Sequence, residues 1–314
     1  MKKDFELTVK VMLGYEEPLF DMGSLPPFEY LEPSTLQYAL YILNRYGESA
    51  SILAGGTDLL VQMRDGKKTP KYVVNIKKIP QLEGIRLENE GVVIGALTTV
   101  NKIHESNLIK EKFPALHQAA GVLASYQVRN RATIGGNLCN ASPAADLAPP
   151  LLIYEAKLKI AGLKGEDEVP IKRFFLGPGK TVIEQGMILK EIYIPTPKEH
   201  TYSIHLKFGE RRAMECAIIN VAASISMGDS ICEDAKIALG SVAPTPIRSE
   251  NAEAELRGKK LDEEVIKRAA EAAAKDSKPI SDIRASAEYR REMVKVFVRR
   301  ALHSLMIESN MGNR

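Results

Sequence analysis

Two glycine-containing segments are the part of the sequence most able to bind a ligand. Ala54-Gly55-Gly56-Thr57-Asp58 and Thr133-Ile134-Gly135-Gly136-Asn137 each follow an apolar stretch. Glycine allows positive φ and lets backbone N–H groups approach a ligand without an intervening Cβ. Successive N–H groups turned to one side favour phosphate oxygens. The pair therefore predicts a cradle for a diphosphate, with two unrelated tight turns as the alternative.

The other sequence motifs argue against several common kinds of ligand and metal site. The sequence contains neither GxxxxGK[ST] nor GxGxxG, so a P-loop and a Rossmann site are not supported and the cradle must belong to another fold. Cys139, Cys216 and Cys232 form no CxxC pair. This spacing argues against a disulfide framework, a zinc site or an iron–sulfur cluster held by this chain alone. The histidines are scattered, so no metal site and no catalytic residue is predicted.

Periodicity and turn residues predict the elements that position the two segments. Pro33-Ser34-Thr35 predicts a helix start with Ser34 or Thr35 as the N-cap, and Gly47 predicts the end of that helix. A strand at 51–53 runs directly into the first glycine segment. The second segment is predicted to be a loop. Further strands are predicted at 72–76, 92–96, 156–161 and 187–194, and a helix at 113–125.

Beyond a boundary at Pro195–His200, the sequence predicts a second unit of mixed strands and helices. Residues 219–226 and 235–242 are predicted to form antiparallel strands. Residues 261–275, with Asp262 as N-cap, and residues 289–305 are predicted helices. Residues 1–24 show no clear period and are treated as an N-terminal extension, and residues 308–314 as a tail.

Longer blocks around the glycine segments carry a family resemblance. Ile52–Leu60 and Ala132–Leu147, with weaker support from Ile94–Thr99 and Arg211–Glu215, resemble the FAD-binding medium subunit of molybdenum hydroxylases. This is the family of xanthine dehydrogenase and aerobic carbon monoxide dehydrogenase. The resemblance runs from about Leu25 to Leu305.

The resemblance implies an α+β fold. Residues 25–199 would form an FAD-binding domain of the vanillyl-alcohol-oxidase (PCMH) type, built from two subdomains. Residues 200–307 would form a smaller C-terminal α+β domain. The chain would then be an oxidoreductase subunit with FAD bound non-covalently.

The resemblance also implies roles for individual residues. Backbone groups at 54–58 and 133–137 would hold the diphosphate, and Asn140, Ser142 and Asp146 would hold ribityl and ribose hydroxyls. Leu189 would pack on the flavin or the adenine. Lys207 would approach the isoalloxazine, where a cation stabilises the reduced form. The full set of implied FAD-binding residues is Leu53, Ala54, Gly55, Gly56, Thr57, Asp58, Leu59, Ala96, Thr133, Ile134, Gly135, Gly136, Asn137, Asn140, Ser142, Asp146, Leu189 and Lys207.

Partner chains follow from the same resemblance. A large subunit would carry the molybdopterin cofactor and perform the hydroxylation, and a small subunit would carry [2Fe–2S] clusters. Electrons would pass from those clusters through FAD to NAD or another acceptor. Two alternatives stay open: a self-contained FAD-dependent reductase of similar fold, and an assembly subunit without flavin.

The bulk composition is compatible with this interpretation. A length of 314 residues suits two domains. The net charge of +3 is close to balance, so neither nucleic acid nor an anionic membrane is expected as a partner. No stretch approaches the ~20 apolar residues of a membrane helix. With cysteines so sparse, a cytoplasmic location is expected.

Overall fold

The first unit of the chain is a small parallel sheet. The structure, a computed structural model, describes residues 25–211 and 213–312, and the predicted N-terminal extension lies outside them. The sheet has strand order β1-β3-β2, with the buried face of helix α1 packed against it. Its elements are β1 (Glu29–Leu31), α1 (Leu36–Tyr46), β2 (Ala50–Leu53), α2 (Leu59–Arg64) and β3 (Tyr72–Asn75).

Local sequence signals account for helix α1. The Thr35 hydroxyl accepts a hydrogen bond from the Tyr38 N–H at 3.2 Å, so Thr35 is the N-cap. Gly47 ends the helix with a φ of 51°, and its N–H donates to the carbonyl of Leu43. Both ends were predicted correctly. The helix directs the chain into β2, and β2 delivers the first glycine segment at the carboxyl edge of the sheet.

The second unit is an antiparallel sheet of strand order β4-β5-β10-β6-β7. A run of short helices separates β5 from β6 and covers one face of the sheet. Its strands are β4 (Ile85–Glu88), β5 (Gly91–Gly95), β6 (Lys157–Gly162), β7 (Gly165–Pro170) and β10 (Ile188–Pro195), and β8 (Phe175–Gly177) and β9 (Lys180–Thr181) pair separately. The helices are α3 (Val100–Glu105), α4 (Asn107–Lys112), α5 (Pro114–Val122), α6 (Tyr126–Arg129), α7 (Ile134–Cys139) and α8 (Ala148–Ile153).

The second glycine segment differs from the prediction. It is the start of helix α7, not a loop, because Thr133 acts as an N-cap whose hydroxyl accepts from the N–H of Gly136 at 3.0 Å. Glycine disfavours helix interiors by roughly 1 kcal/mol relative to alanine. At Gly135 that cost is offset by close packing, because an added Cβ would lie 2.7 Å from the carbonyl oxygen of Ala96.

The third unit is an antiparallel sheet with two long helices on one face. Strands β12 and β13 form its centre, as predicted for residues 219–226 and 235–242, and β11 pairs with β12 at one edge. The final helix continues to Gly312, past its predicted end at Leu305 and into the predicted tail. The elements are β11 (Thr201–Phe208), β12 (Ile219–Gly228), β13 (Ile231–Gly240), β14 (Ile247–Arg248), α9 (Glu250–Leu256), β15 (Lys259–Lys260), α10 (Glu263–Asp276) and α11 (Ala287–Gly312).

The two faces of this last sheet bury different groups. The face with Val221 and Ile237 packs on α10 and α11 and forms a core of its own. The opposite face, with Ala222 and Ala238, joins the core of the second unit beneath α5 and α8. The C-terminal sheet is therefore fixed against the helices that lead into and out of the second glycine segment. Among the described residues, no helix is both long and apolar enough to cross a membrane.

Candidate functional site

A cavity of about 930 Å³ lies between the two glycine segments. Further walls come from Thr181 and residues 183–189, before and within β10, and from Met214, Glu215 and Cys216 in the connection between β11 and β12. The volume lies at the upper end of the range for small-molecule and cofactor sites. The cavity therefore has room for a ligand with several parts.

The first glycine segment offers free backbone donors to this cavity. Within the part of the chain that the structure describes, the N–H groups of Gly55, Gly56, Thr57 and Asp58 donate to no protein acceptor. Gly56 has a φ of 79°, a conformation that side chains rarely adopt. A run of unpaired N–H groups next to a positive-φ glycine is the arrangement that binds phosphate oxygens.

Most backbone N–H groups of the second glycine segment already donate to acceptors within the protein. The N–H groups of Ile134 and Gly135 donate to the carbonyls of Thr98 and Ala96 at 3.1 and 2.9 Å. Those of Gly136 and Asn137 donate to the hydroxyl and the carbonyl of Thr133, both at 3.0 Å. Among the described residues, the Thr133 N–H donates to no protein acceptor, so four of the five predicted donors of this segment are already paired. In this structure the second segment therefore offers fewer free donors than the first.

The glycines also allow backbone segments to pack together. A Cβ on Gly55 would lie 2.1 Å from the carbonyl oxygen of Arg131, and a Cβ on Gly135 would lie 2.7 Å from Ala96. At Gly136, the nearest atom to an added Cβ is the Thr133 hydroxyl at 3.0 Å. Gly55 and Gly135 therefore hold the cavity walls close together, whereas Gly136 has more space.

Polar side chains connect the two segments. The Asn140 amide donates to the Asp58 carboxylate at 3.2 Å and accepts from the Gln62 amide at 3.1 Å. Burial raises the pKa of Asp58, and Lys68 opposes that effect. Lys68 is the basic residue among those that line the cavity in the described structure. Its location suits a negatively charged ligand group.

Asp146 forms an ion pair with Lys207, a residue that was predicted to approach the isoalloxazine. Its carboxylate accepts from the Lys207 ammonium at 2.7 Å and from the Asn220 amide at 3.4 Å. Burial raises the pKa of Asp146, and Lys207 and Asn220 oppose that rise. Asp146 lines the cavity but Lys207 does not, so the structure places Lys207 behind Asp146. In this conformation the Lys207 ammonium donates to the Asp146 carboxylate and to the carbonyl of Val122.

Most of the other residues predicted to bind FAD line the same cavity. Every residue of the predicted set lines the cavity except Leu53, Ile134 and Lys207. Ile134 is fully buried in the core beneath α7. Leu53 is the last residue of β2, and its side chain lies under the turn at Gly56. Leu189 is buried on β10 and forms part of the wall.

Several lining residues were missed from the sequence. Gln62 lies one helical turn after Asp58, a spacing that could have identified it. Met214 and Glu215 belong to the Arg211–Glu215 block that carried the family resemblance but were assigned no role in binding, and Cys216 follows that block. The Met214 N–H donates to the carbonyl of Ala124 at 3.1 Å, which fixes this connection to the end of α5. The sequence gives no signal for that contact.

Two cysteines also line the cavity, Cys139 and Cys216. The exposed surface of Cys139 faces the cavity interior and is surrounded by protein, and burial raises the pKa of its thiol to about 12. This thiol stays protonated near neutral pH and is a poor nucleophile.

The cavity fits FAD. Unpaired N–H groups and Lys68 suit a diphosphate, and Asn140, Ser142 and Asp146 offer partners for hydroxyl groups. Apolar side chains, Leu123, Met187 and Leu189 among them, suit a flat aromatic ring system.

Comparison with known proteins agrees with this chemistry. Residues 26–197 match the model of the FAD binding domain in molybdopterin dehydrogenase, and residues 204–305 match the CO dehydrogenase flavoprotein C-terminal domain. A xanthine dehydrogenase FAD-binding subunit of Escherichia coli O157:H7 is 36% identical over 286 residues, covering 90% of this chain and 96% of the relative. The carbon monoxide dehydrogenase medium chain of Hydrogenophaga pseudoflava is 34% identical over 279 residues, covering 89% and 97%.

Solved structures show the same fold. Carbon monoxide dehydrogenase from Hydrogenophaga pseudoflava superposes with a TM-score of 0.87 at 35% identity, covering 89% of this chain and 97% of that one. Quinoline 2-oxidoreductase from Pseudomonas putida 86 gives 0.86 at 28% identity, covering 91% and 99%. The predicted α+β fold, an FAD-binding domain followed by a C-terminal domain, is confirmed. The chain therefore belongs to the family of FAD-binding oxidoreductase subunits of the molybdopterin dehydrogenases.

Proposed function

We propose that this chain is the FAD-containing electron-transfer subunit of a molybdenum hydroxylase. A large subunit with the molybdenum cofactor and a small subunit with [2Fe–2S] clusters would complete the enzyme, and electrons would leave through FAD to NAD or another acceptor. Bound FAD supplies the exchange between one-electron carriers and a two-electron acceptor. The run of unpaired N–H groups at 55–58, facing a cavity of suitable size, is the observation that supports this proposal most strongly.

The first glycine segment would hold the diphosphate. The N–H groups of Gly55, Gly56, Thr57 and Asp58 are free to donate to phosphate oxygens. Lys68 would balance part of the phosphate charge, because the other charged residues that line the cavity are acidic. The second segment would close the opposite side at short range, which Gly135 and Gly136 permit.

Other lining residues would orient the rest of the cofactor. Asn140, Ser142 and Asp146 would bind ribityl and ribose hydroxyls, and Leu189 would pack on a ring system. Lys207 would act as a positioning residue, because its ammonium fixes the Asp146 carboxylate from behind. This role replaces the direct approach of Lys207 to the isoalloxazine that the resemblance implies.

The residues of this chain favour an enzyme whose metal centres lie on other subunits. Its three cysteines are fewer than the four ligands that a [2Fe–2S] cluster takes. Among the described residues, no group of three side chains is placed to hold a metal ion. Substrate oxidation and the cluster relay would therefore belong to the partner chains.

Reconstitution of the purified chain with FAD tests the proposal. The expected result is stoichiometric flavin absorbance, which dithionite-reduced small subunit bleaches under anaerobic conditions. NADH in place of the small subunit then reports whether NAD is the acceptor. A chain that binds no flavin would support the assembly-subunit alternative, and substrate reduction by the lone chain would support the self-contained reductase.

A further inference from the structure

The Lys77 side chain contacts the first glycine segment from outside the cavity. Its ammonium donates to the carbonyl of Ala54 at 3.1 Å. Ala54 and Gly55 line the cavity, whereas Lys77 does not. Lys77 therefore lies on the side of this backbone that faces away from the space where the diphosphate would bind.

The parallel sheet brings Lys77 to this place. β2 and β3 pair in parallel, and Leu53 lies opposite Asn75 at their ends. The pairing continues past β3, because the N–H of Ile76 donates to the carbonyl of Leu53 at 3.2 Å. The residues that follow the two strands therefore run side by side, and Lys77 reaches the Ala54–Gly55 peptide group.

The orientation of this peptide group decides where the Gly55 N–H points. In a trans peptide the C=O and the N–H point in opposite directions, and the described part of the chain has no cis peptide bond. Because the Ala54 carbonyl points to Lys77, the Gly55 N–H points away from Lys77. This N–H has no acceptor among the described residues, and Gly55 lines the cavity. The hydrogen bond from Lys77 thus keeps a backbone donor available to a ligand.

Little else in the structure holds the Ala54–Gly55 peptide group in this orientation. Rotation of the peptide plane changes the φ of Gly55, and glycine accepts a wide range of φ. Over residues 25–211 and 213–312, no backbone N–H donates to the Ala54 carbonyl. A rotated plane would turn that carbonyl oxygen toward the phosphate oxygens, where negative charges repel each other.

The Lys77 ammonium also has little negative charge around it. Burial lowers the pKa of Lys77, Arg131 lowers it further, and Glu32 opposes both effects. Glu32 forms its ion pair with the neighbouring Lys78, at 2.6 Å. A diphosphate bound on the other side of the glycine segment would supply negative charge that the described residues do not.

We propose that Lys77 is a positioning residue that holds the Ala54–Gly55 peptide group with its N–H directed at the FAD diphosphate. This inference rests on the proposed function. Lys77 makes no contact with the cofactor in this account and acts through its hydrogen bond to Ala54. That bond also polarises the peptide group, so the Gly55 N–H becomes a stronger donor.

Substitution of Lys77 tests this role, with the adjacent Lys78 as a matched control. Lys77→Met removes the ammonium and keeps a long side chain, and Lys78→Met removes the same charge one residue later. FAD and riboflavin, which lacks phosphate, are each titrated into the flavin-free proteins. Lys77→Met is expected to weaken FAD binding by about five- to tenfold and to leave riboflavin binding unchanged. Lys78→Met is expected to leave both affinities unchanged.

A conservative variant and a change of salt separate the hydrogen bond from the effect of charge alone. Arginine can still donate to the Ala54 carbonyl, so Lys77→Arg should retain most of the FAD affinity. A charge that acts through solvent is screened at about 1 M salt, where the Debye length is roughly 3 Å. The loss in Lys77→Met should therefore persist at that salt concentration.

Wild-type FAD affinity in Lys77→Met would overturn the proposal, and so would an equal loss for riboflavin, which would indicate a purely structural role. A loss that disappears at high salt, or that Lys77→Arg shares, would overturn it as well. A wild-type chain that binds no FAD would instead contradict the proposed function, so the two failures are distinguishable.

Discussion

Lys207 and Asp146 form a buried ion pair between the C-terminal sheet and the wall of the cofactor cavity. Their charged atoms lie 2.7 Å apart, and their side chains are only 9% and 8% exposed. Lys207 belongs to β11 and Asp146 to the segment after the second glycine motif, 61 residues earlier. The pair therefore joins two units of the fold at the point where the FAD ribityl chain or ribose would bind.

Removal of one member of this pair should destabilise the protein strongly. Lys207→Met leaves a buried carboxylate without its cation, and the expected loss is about 3–5 kcal/mol in the free energy of unfolding. The double variant Lys207→Met/Asp146→Asn removes both charges and should recover much of that loss. Denaturant titration of the two single variants and the double variant measures the coupling. Additive losses would show that the pair does not interact as described.

The glycines should differ in their sensitivity to substitution. Gly55→Ala places a Cβ 2.1 Å from a backbone carbonyl oxygen, so a strand-to-helix connection must shift, at a cost of about 1–3 kcal/mol or more. Gly136→Ala contacts only the Thr133 hydroxyl, at 3.0 Å, and should cost less. The melting temperature and the FAD retention of the two variants show which substitution costs more. Equal losses, or a larger loss at Gly136, would contradict the packing role of Gly55.

Lys68 should contribute to FAD binding through charge. Lys68→Met removes the cation that lines the cavity, and FAD affinity should fall by about three- to tenfold because the site is partly open to solvent. Lys67→Met is the control, since Lys67 pairs with Asp65 and does not line the cavity. Riboflavin, which lacks the diphosphate, should bind both variants like the wild type. A similar loss for riboflavin would show that Lys68 does not act on phosphate.

His205 should make the fold sensitive to acid. Burial lowers its pKa from 6.5 to about 3, and Lys207 adds to the effect. Both ring nitrogens lack a hydrogen-bond partner among the described residues. Between pH 6.5 and 3 the unfolded chain binds a proton that the folded chain refuses, so the free energy of unfolding falls as the pH is lowered through this window.

His205→Leu removes that proton from the unfolded state. The variant should lose less stability than the wild type between pH 7 and pH 4.5, with a difference of a few kcal/mol, about 1.4 kcal/mol per pKa unit. Urea titrations of both proteins at the two pH values provide the comparison. Parallel losses in the two proteins would mean that His205 is protonated in the folded state or is exposed.

Capping residues and a glycine in the sequence predicted where individual helices begin and end. The Thr35 cap, the Gly47 end and the Asp262 cap each act within one turn of a helix, and each is found where it was predicted. Most residues that the resemblance implied also line one cavity, and their contact with FAD stays a prediction. These features depend on neighbours that the sequence itself displays.

The sequence could not show which backbone and side-chain groups near the site are already hydrogen-bonded within the protein. The N–H of Gly135 is occupied by Ala96, 39 residues earlier, and Lys207 is occupied by Asp146. The first contact packs α7 against the residue after β5, and the second joins two units of the fold; no spacing in the chain encodes either. The second glycine segment therefore resembled the first in sequence but differs from it in available donors.

An experimental structure of the FAD-reconstituted chain tests the central claim most directly, through the distances from the diphosphate oxygens to the backbone nitrogens of residues 55–58. The account predicts that at least two of these nitrogens lie within hydrogen-bonding distance, about 2.7–3.2 Å, of phosphate oxygens. A diphosphate that contacts none of them, bound elsewhere on the chain or held only by residues 134–137, would contradict it.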